Sequence, residues 1–215
     1  MARFYSDADG RRLLKAARTA IRLCVIYSNF DRREVANSIK DFDAGHGIFV
    51  TIKHSGTGEL RGCVGFPQGS RKLCEALVDA AVAAALEDDR FIPVSEEELG
   101  HISIEVSILT EPKRIKVTTI ASARRNIVIG RHGLMVEYGF KRGLLLPSVP
   151  VEEQIGLVGY LEAVCIKAGM GGDAWKRGDV KLYTFETQTF EEHDPLTEYI
   201  AEGFLYSIIS YSYMW

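Results

Sequence analysis

From Leu13 to Ile26 the apolar residues Leu13, Ala17, Ala20, Ile21 and Cys24 recur three or four apart, with Arg18 and Arg22 outside the stripe, and this spacing predicts an amphipathic helix. Ile48-Phe49-Val50-Thr51-Ile52 is β-branched and aromatic. A polar, glycine-containing stretch from His54 to Gly58 follows it, and Leu60 opens another extended run, so a hairpin is expected. After Pro67, Ser70 is placed to cap a helix whose stripe is Leu73, Leu77, Ala80, Ala81 and Ala84. Ser95-Glu96-Glu97-Glu98 has the form of a capping box and predicts a short helical turn. In the segment that follows, Ile102, Ile104, Val106 and Ile108 alternate with Ser103, Glu105 and Ser107, the pattern of a strand with one buried and one polar face.

Further on, Ile127-Val128-Ile129, Leu134 to Glu137 and Leu144 to Leu146 read as two or three short strands separated by Gly130, Gly133, Gly139 and Gly143. Pro150 can open a helix with Ile155, Val158, Leu161, Cys165 and Ala168 on one face, ended by Gly169, with Gly156 and Gly159 as weak points inside it. A last strand is expected over Val180 to Phe190, and a helix from Asp194-Pro195. Strands and helices mix without a regular βαβ alternation, which predicts an α+β fold with a mostly antiparallel or mixed sheet.

The chain of 215 residues is 47% hydrophobic and 26% charged, ordinary for a globular protein. Its net charge of −3 argues against a surface built wholly for nucleic acid or an anionic membrane. The charge is unevenly spread. Between Glu111 and Pro147 eight Lys or Arg face two acids, a balance of +6 that leaves −9 for the remainder. We therefore expect a smaller basic β lobe at 111–147, inserted in a larger lobe made of 1–110 and 148–215. No apolar leader or membrane-spanning run is visible, and Cys24, Cys63, Cys74 and Cys165 show no metal or disulfide spacing, so a cytoplasmic protein with reduced thiols is expected.

Leu60-Arg61-Gly62-Cys63-Val64-Gly65 resembles the Leu-Arg-Gly-Cys-Ile-Gly signature of the AMMECR domain family of archaea, bacteria and eukaryotes. Gly47 to Thr51, Asp89 to Val94, Ile104 to Leu109, Ile129 to Leu134, Arg142 to Pro147 and Lys167 to Gly169 are similar to further parts of the family pattern, in order, over roughly Leu13 to Glu192. The chain departs from that pattern at Ser148, where the family usually has Gln, and near Ile155-Gly156-Leu157, where it usually has Trp. The resemblance implies a large α+β lobe with a smaller β lobe inserted, and no particular reaction or cofactor. Through gene association it also implies a Memo-like protein and a radical S-adenosylmethionine enzyme as partners.

Cys63 lies between Gly62 and Gly65, beside Arg61, on a strand ending at Phe66-Pro67. One reading is a thiolate nucleophile or attachment point, with Arg61 binding an anionic group in a site between the lobes. The other is a small buried residue in a crowded hairpin, with Arg61 paired to an acid such as Asp89 or Glu105. Strand alternation puts Arg61 and Cys63 on one face. His132, in the Gly130 to Gly133 turn, is the candidate base. Arg90 and Glu105 are candidates to line the site or to form structural ion pairs. His46, His54, His101 and His193 read as solvated, and Cys24, Cys74 and Cys165 as core. The basic lobe, with Tyr138 and Phe140 for stacking, offers the alternative of an adaptor for RNA or a partner protein. The aromatic tail Tyr206 to Trp215 could bury itself in a homodimer.

Overall fold

A computed structural model describes residues 5–27 and 29–192; the helix expected from Asp194, the tail from Tyr206 and His193 lie outside the described residues. Ser6 begins the first helix, α1 (Asp7–Ile26), through a complete capping box with Asp9. In chain order there follow α2 (Arg32–Ser38), β1 (Gly47–His54), β2 (Leu60–Phe66), α3 (Leu73–Leu86), β3 (Ile102–Leu109), β4 (Lys113–Ile115) and α4 (Ile120–Asn126). After these come β5 (Gly133–Tyr138), β6 (Lys141–Leu145), α5 (Val149–Glu152), α6 (Leu157–Lys167), β7 (Lys181–Phe185) and β8 (Thr187–Glu191). The α+β class holds. The strands form two four-stranded sheets, ordered β2-β1-β3-β8 and β4-β7-β5-β6.

By contacts the described residues divide into two compact units, one holding Tyr5–Phe66, Arg71–Ser107 and 189–192, the other Pro67–Ser70 and Ile108–Gln188. The second unit therefore extends well past Pro147, where the charge pattern alone put its end. Its core explains why: Tyr160, Leu161, Val164 and Cys165 of α6 are buried with Leu134 and Val136 of β5 and Leu182 of β7. The added stretch brings in Glu152, Glu153, Glu162, Asp173, Asp179 and Glu186, which dilutes the basic balance.

Several local expectations change. Ser70 does not cap α3, whose N-cap is Lys72 without a side-chain hydrogen bond. Ile127-Val128-Ile129 is not a strand: Thr119 and Ser122 form a capping box that starts α4, and Ile127 is its C-cap. The helix expected from Pro150 is two, α5 and α6, and Gly156 is the N-cap of α6 rather than an interior weak point. The long last strand is likewise two, β7 and β8, which belong to different sheets.

In the first unit α3 packs on β1, β2, α1 and α2. Ile48, Val50 and Ile52 of β1 are essentially inaccessible, and so are Ile102, Ile104 and Val106 of β3, as the alternation of β3 predicted. Arg18 departs from its expected exposed position on α1. It is 7% exposed, and its Nε donates to Glu192 Oε1 at 3.0 Å while Nη2 also bonds the same carboxylate. Its remaining donors meet the carbonyls of Leu99 (3.0 Å) and Ile102 (2.9 Å), and Glu192 accepts in addition from the N–H of Ile104 at 2.9 Å.

Removing one partner of such a buried pair strands the other charge, so Glu192→Ala is expected to cost about 3–5 kcal/mol. Urea unfolding followed by circular dichroism checks this. Arg12→Ala, which removes a half-exposed guanidinium with its pairs to Asp41 and Asp9 and its contact with the Phe42 ring, serves as the control and should move the midpoint much less.

Candidate functional site

Among the described residues β2 is an edge strand, so the backbone groups on its outer side have no neighbouring strand there. At Cys63 two side chains from the loop after α3 take the place of one. The Cys63 N–H donates to Asp88 Oδ2 at 2.8 Å, and the Cys63 carbonyl accepts from Arg90 Nη2 at 3.3 Å. Arg90 grips Asp88 in turn, Nε to Oδ1 at 2.9 Å and Nη2 to Oδ2 at 2.6 Å. The Arg90 guanidinium beside Asp88, helped by the Cys63 N–H, holds the Asp88 carboxyl down to about 2. The Asp88 side chain is 5% exposed, whereas that of Arg90 is 50% exposed.

Across the strand pair, Thr51 of β1 stands opposite Cys63, and its hydroxyl lies 3.3 Å from Sγ. Cys63 itself is partly exposed. The flanking glycines have separate reasons. A Cβ on Gly62 would fall 2.1 Å from the Ala84 carbonyl oxygen, so its absence lets α3 lie close against β2. At Gly65 a Cβ would lie 2.5 Å from the Phe49 ring, so the ring reaches over this glycine, two register positions from the Thr51–Cys63 pair.

Arg61 is not beside the thiol. The register slips between Ile52↔Gly62 and Lys53↔Leu60, so Arg61 is the extra residue of a bulge, and the bulge breaks the alternation that would have paired its direction with that of Cys63. The side chain is 6% exposed. Its Nε and Nη2 hold Glu98 at 2.7 and 3.0 Å, and Nη1 and Nη2 hold the carbonyls of Ile92 and Pro93 at 2.8 and 3.2 Å. Arg61 is thus an internal clamp rather than an anion binder, and its acid is Glu98, not Asp89 or Glu105. The expected capping-box glutamate does part of its predicted work as well, since Glu98 accepts from the Ser95 N–H at 2.9 Å.

The remaining candidates have other partners. Glu105, on the polar face of β3, pairs with Lys53 at 2.8 Å and accepts from Ser107 at 3.1 Å; Ser107 also meets Thr189 at 2.9 Å. His132 belongs to the other compact unit, where its Nδ1 accepts from the Val128 N–H at 3.2 Å. Burial pushes the thiol of Cys24 up to about 11 and raises those of Cys74 and Cys165 as well. Among the described residues no group of His, Cys, Asp and Glu is arranged to hold a metal ion, and no helix is long and apolar enough to cross a membrane. Asp88 and Thr51 were not foreseen from the sequence; the roles of both follow from the placement of β2, at the sheet edge and opposite β1, which no local pattern records.

A protein-family model described as AMMECR1 matches residues 14–190. The chain is similar to "Protein MJ0810" of Methanocaldococcus jannaschii, 48% identical over 164 residues that cover 76% of this chain and 82% of that protein. A Methanosarcina mazei protein is 36% identical over 201 residues, 93% of this chain and 99% of its own. In three dimensions the chain resembles the crystal structure of the uncharacterized protein PH0010 from Pyrococcus horikoshii, with a TM-score of 0.81 and 36% identity over 88% of this chain and 94% of that one.

Because the folded Asp88 carboxyl titrates below its unfolded value near 4, its stabilising contribution is complete above about pH 4 and lost as pH falls through about 2. Asp88→Asn should therefore be less stable than the parent at pH 7, with the two converging as pH approaches 2. Denaturant midpoints measured across that range test it.

Proposed function

This chain belongs to the AMMECR1 family, and from that premise we propose that Cys63 is the working group of a site for an anionic molecule, as nucleophile or covalent attachment point, with Arg90 as the receiving cation. The observation that carries the reading is the pairing of a partly exposed thiol with a half-exposed guanidinium bonded to its own carbonyl. The charge of Arg90 favours a thiolate at Cys63 over a thiol. A cysteine of ordinary acidity already supplies a few per cent thiolate near neutrality, so a dedicated base such as His132 is not a requirement. Sγ then attacks the electrophilic centre of the bound molecule, its proton having passed to solvent, and the leaving group departs with the bonding pair. If the adduct persists the protein is a carrier, and the Memo-like and radical S-adenosylmethionine proteins are the partners to test for loading or unloading it.

Supporting a binding role for the second unit instead is the hairpin of β5 and β6, where Phe140 is fully exposed at the tip and Arg177 lies 4.6 Å from the Tyr138 ring centre. Against it, Arg131, Arg142 and Arg177 are each paired with an acid, Glu186, Glu137 and Asp179. Salt-dependent RNA binding that disappears in the double variant Arg124→Glu, Arg125→Glu would favour this alternative.

The decisive measurement is iodoacetamide alkylation of each cysteine against pH, read by mass spectrometry on the native protein with Cys63→Ser as control. Cys63 should react first, with an apparent pKa below the roughly 8.5 of a free thiol, and Arg90→Ala should raise that pKa. Protection of Cys63 until denaturant is added would sink the proposal.

A further inference from the structure

We infer that Thr51 is a positioning residue for Cys63, donating a hydrogen bond to Sγ that favours the thiolate; the inference rests on the reading of Cys63 as a working thiol. Thr51 and Cys63 are opposite one another in the β1–β2 register, and the N–H and C=O of Cys63 turn away from β1 to Asp88 and Arg90. That makes them a non-hydrogen-bonded pair, the kind whose side chains come closest, with Cα atoms about 4.5 Å apart. The 3.3 Å separation of Thr51 Oγ1 from Sγ follows from this geometry.

Thr51 is only 5% exposed, so water competes poorly for its hydroxyl, and a buried hydroxyl has to find a partner in the protein. Valine would suit the strand as well as threonine does, being equally β-branched. The hydroxyl is therefore the feature to be explained. An O–H can donate and the thiolate is the stronger acceptor of the two sulfur states, so the contact stabilises the charged form and lowers the pKa of Cys63. The three contacts divide the work: Asp88 and Arg90 fix the backbone of Cys63, and Thr51 addresses the sulfur itself.

The test is the pH profile of Cys63 alkylation by iodoacetamide in Thr51→Val, Thr51→Ser and Thr51→Ala. Loss of the hydroxyl in Thr51→Val should raise the apparent pKa by about one unit. The rate at pH 7 should then fall only about threefold, because the tenfold loss of thiolate is partly offset by the greater nucleophilicity of the more basic sulfur. Thr51→Ser should restore the parent pKa, and Thr51→Ala should match Thr51→Val, which covers the case in which one variant fails to fold. A purely steric role predicts the opposite ranking, with valine like the parent and serine altered, and that result overturns the inference. A reactive Cys63 whose pKa is the same in all three variants overturns it while leaving the proposed function standing; a Cys63 that is silent in the parent protein overturns both.

Discussion

Two buried guanidiniums hold the irregular segment between α3 and β3 in place. Arg61, reaching from β2, takes the carbonyls of Ile92 and Pro93 together with Glu98, and Arg18, reaching from α1, takes those of Leu99 and Ile102 together with Glu192. A stretch whose one regular piece is the short 3-10 turn Glu97–Gly100 has backbone oxygens that must be met by something once they leave water. Arginine suits the task because its planar fork can bind a carboxylate on one side and carbonyls on another, and because it keeps its charge when buried. Each carboxylate neutralises the charge that would otherwise make this burial prohibitive.

That clamp has a consequence at the edge of the sheet. The segment fixed by Arg61 begins immediately after Asp88 and Arg90, which close the outer side of β2 at Cys63. With Ile92 and Pro93 tied down, the short loop that bears Asp88 and Arg90 is anchored at one end by α3 and at the other by Arg61. The two arginines near Cys63 therefore act in series. The buried one sets the loop, and the half-exposed one reaches the cysteine with charge left facing solvent.

How much of this the residues announce depends on the range of the interactions. The β1–β2 hairpin was legible from its β-branched residues and the polar, glycine-containing turn between them, and β3 from a two-residue period that directly records which face is buried. The family motif and its span were legible too, and the matched residues 14–190 agree with the extent read from the motifs. What misled was local ambiguity. Three β-branched residues at Ile127 to Ile129 look like a strand until Thr119 is seen to start a helix that ends there, and the apolar stripe that joined α5 to α6 ran straight through Gly156. Arg61 misled for a different reason: a one-residue bulge is invisible in the sequence of a single strand, being a mismatch between two strands. The partner of Arg18, Glu192, lies 174 positions away, and no periodicity connects them.

The same bulge separates recognition of the motif from its chemistry. Arg61 and Cys63 stand two positions apart, and ideal alternation would send both side chains to one site. With the extra residue inserted, the arginine turns to the loop after α3, and Cys63 keeps its place opposite Thr51. Gly62, between them, lets the Ala84 carbonyl approach more closely than any side chain would permit. The Arg-Gly-Cys sequence thus combines three separate requirements of one strand edge: a clamp for the loop, a close contact for the helix and a thiol left partly open. An Arg61→Lys change would keep the charge but not the fork, and with only three donors on a single nitrogen it could not span Glu98 and two carbonyls in their present places. Its effect on Cys63 would come through the loop that carries Asp88 and Arg90, not through any direct contact with a bound anion.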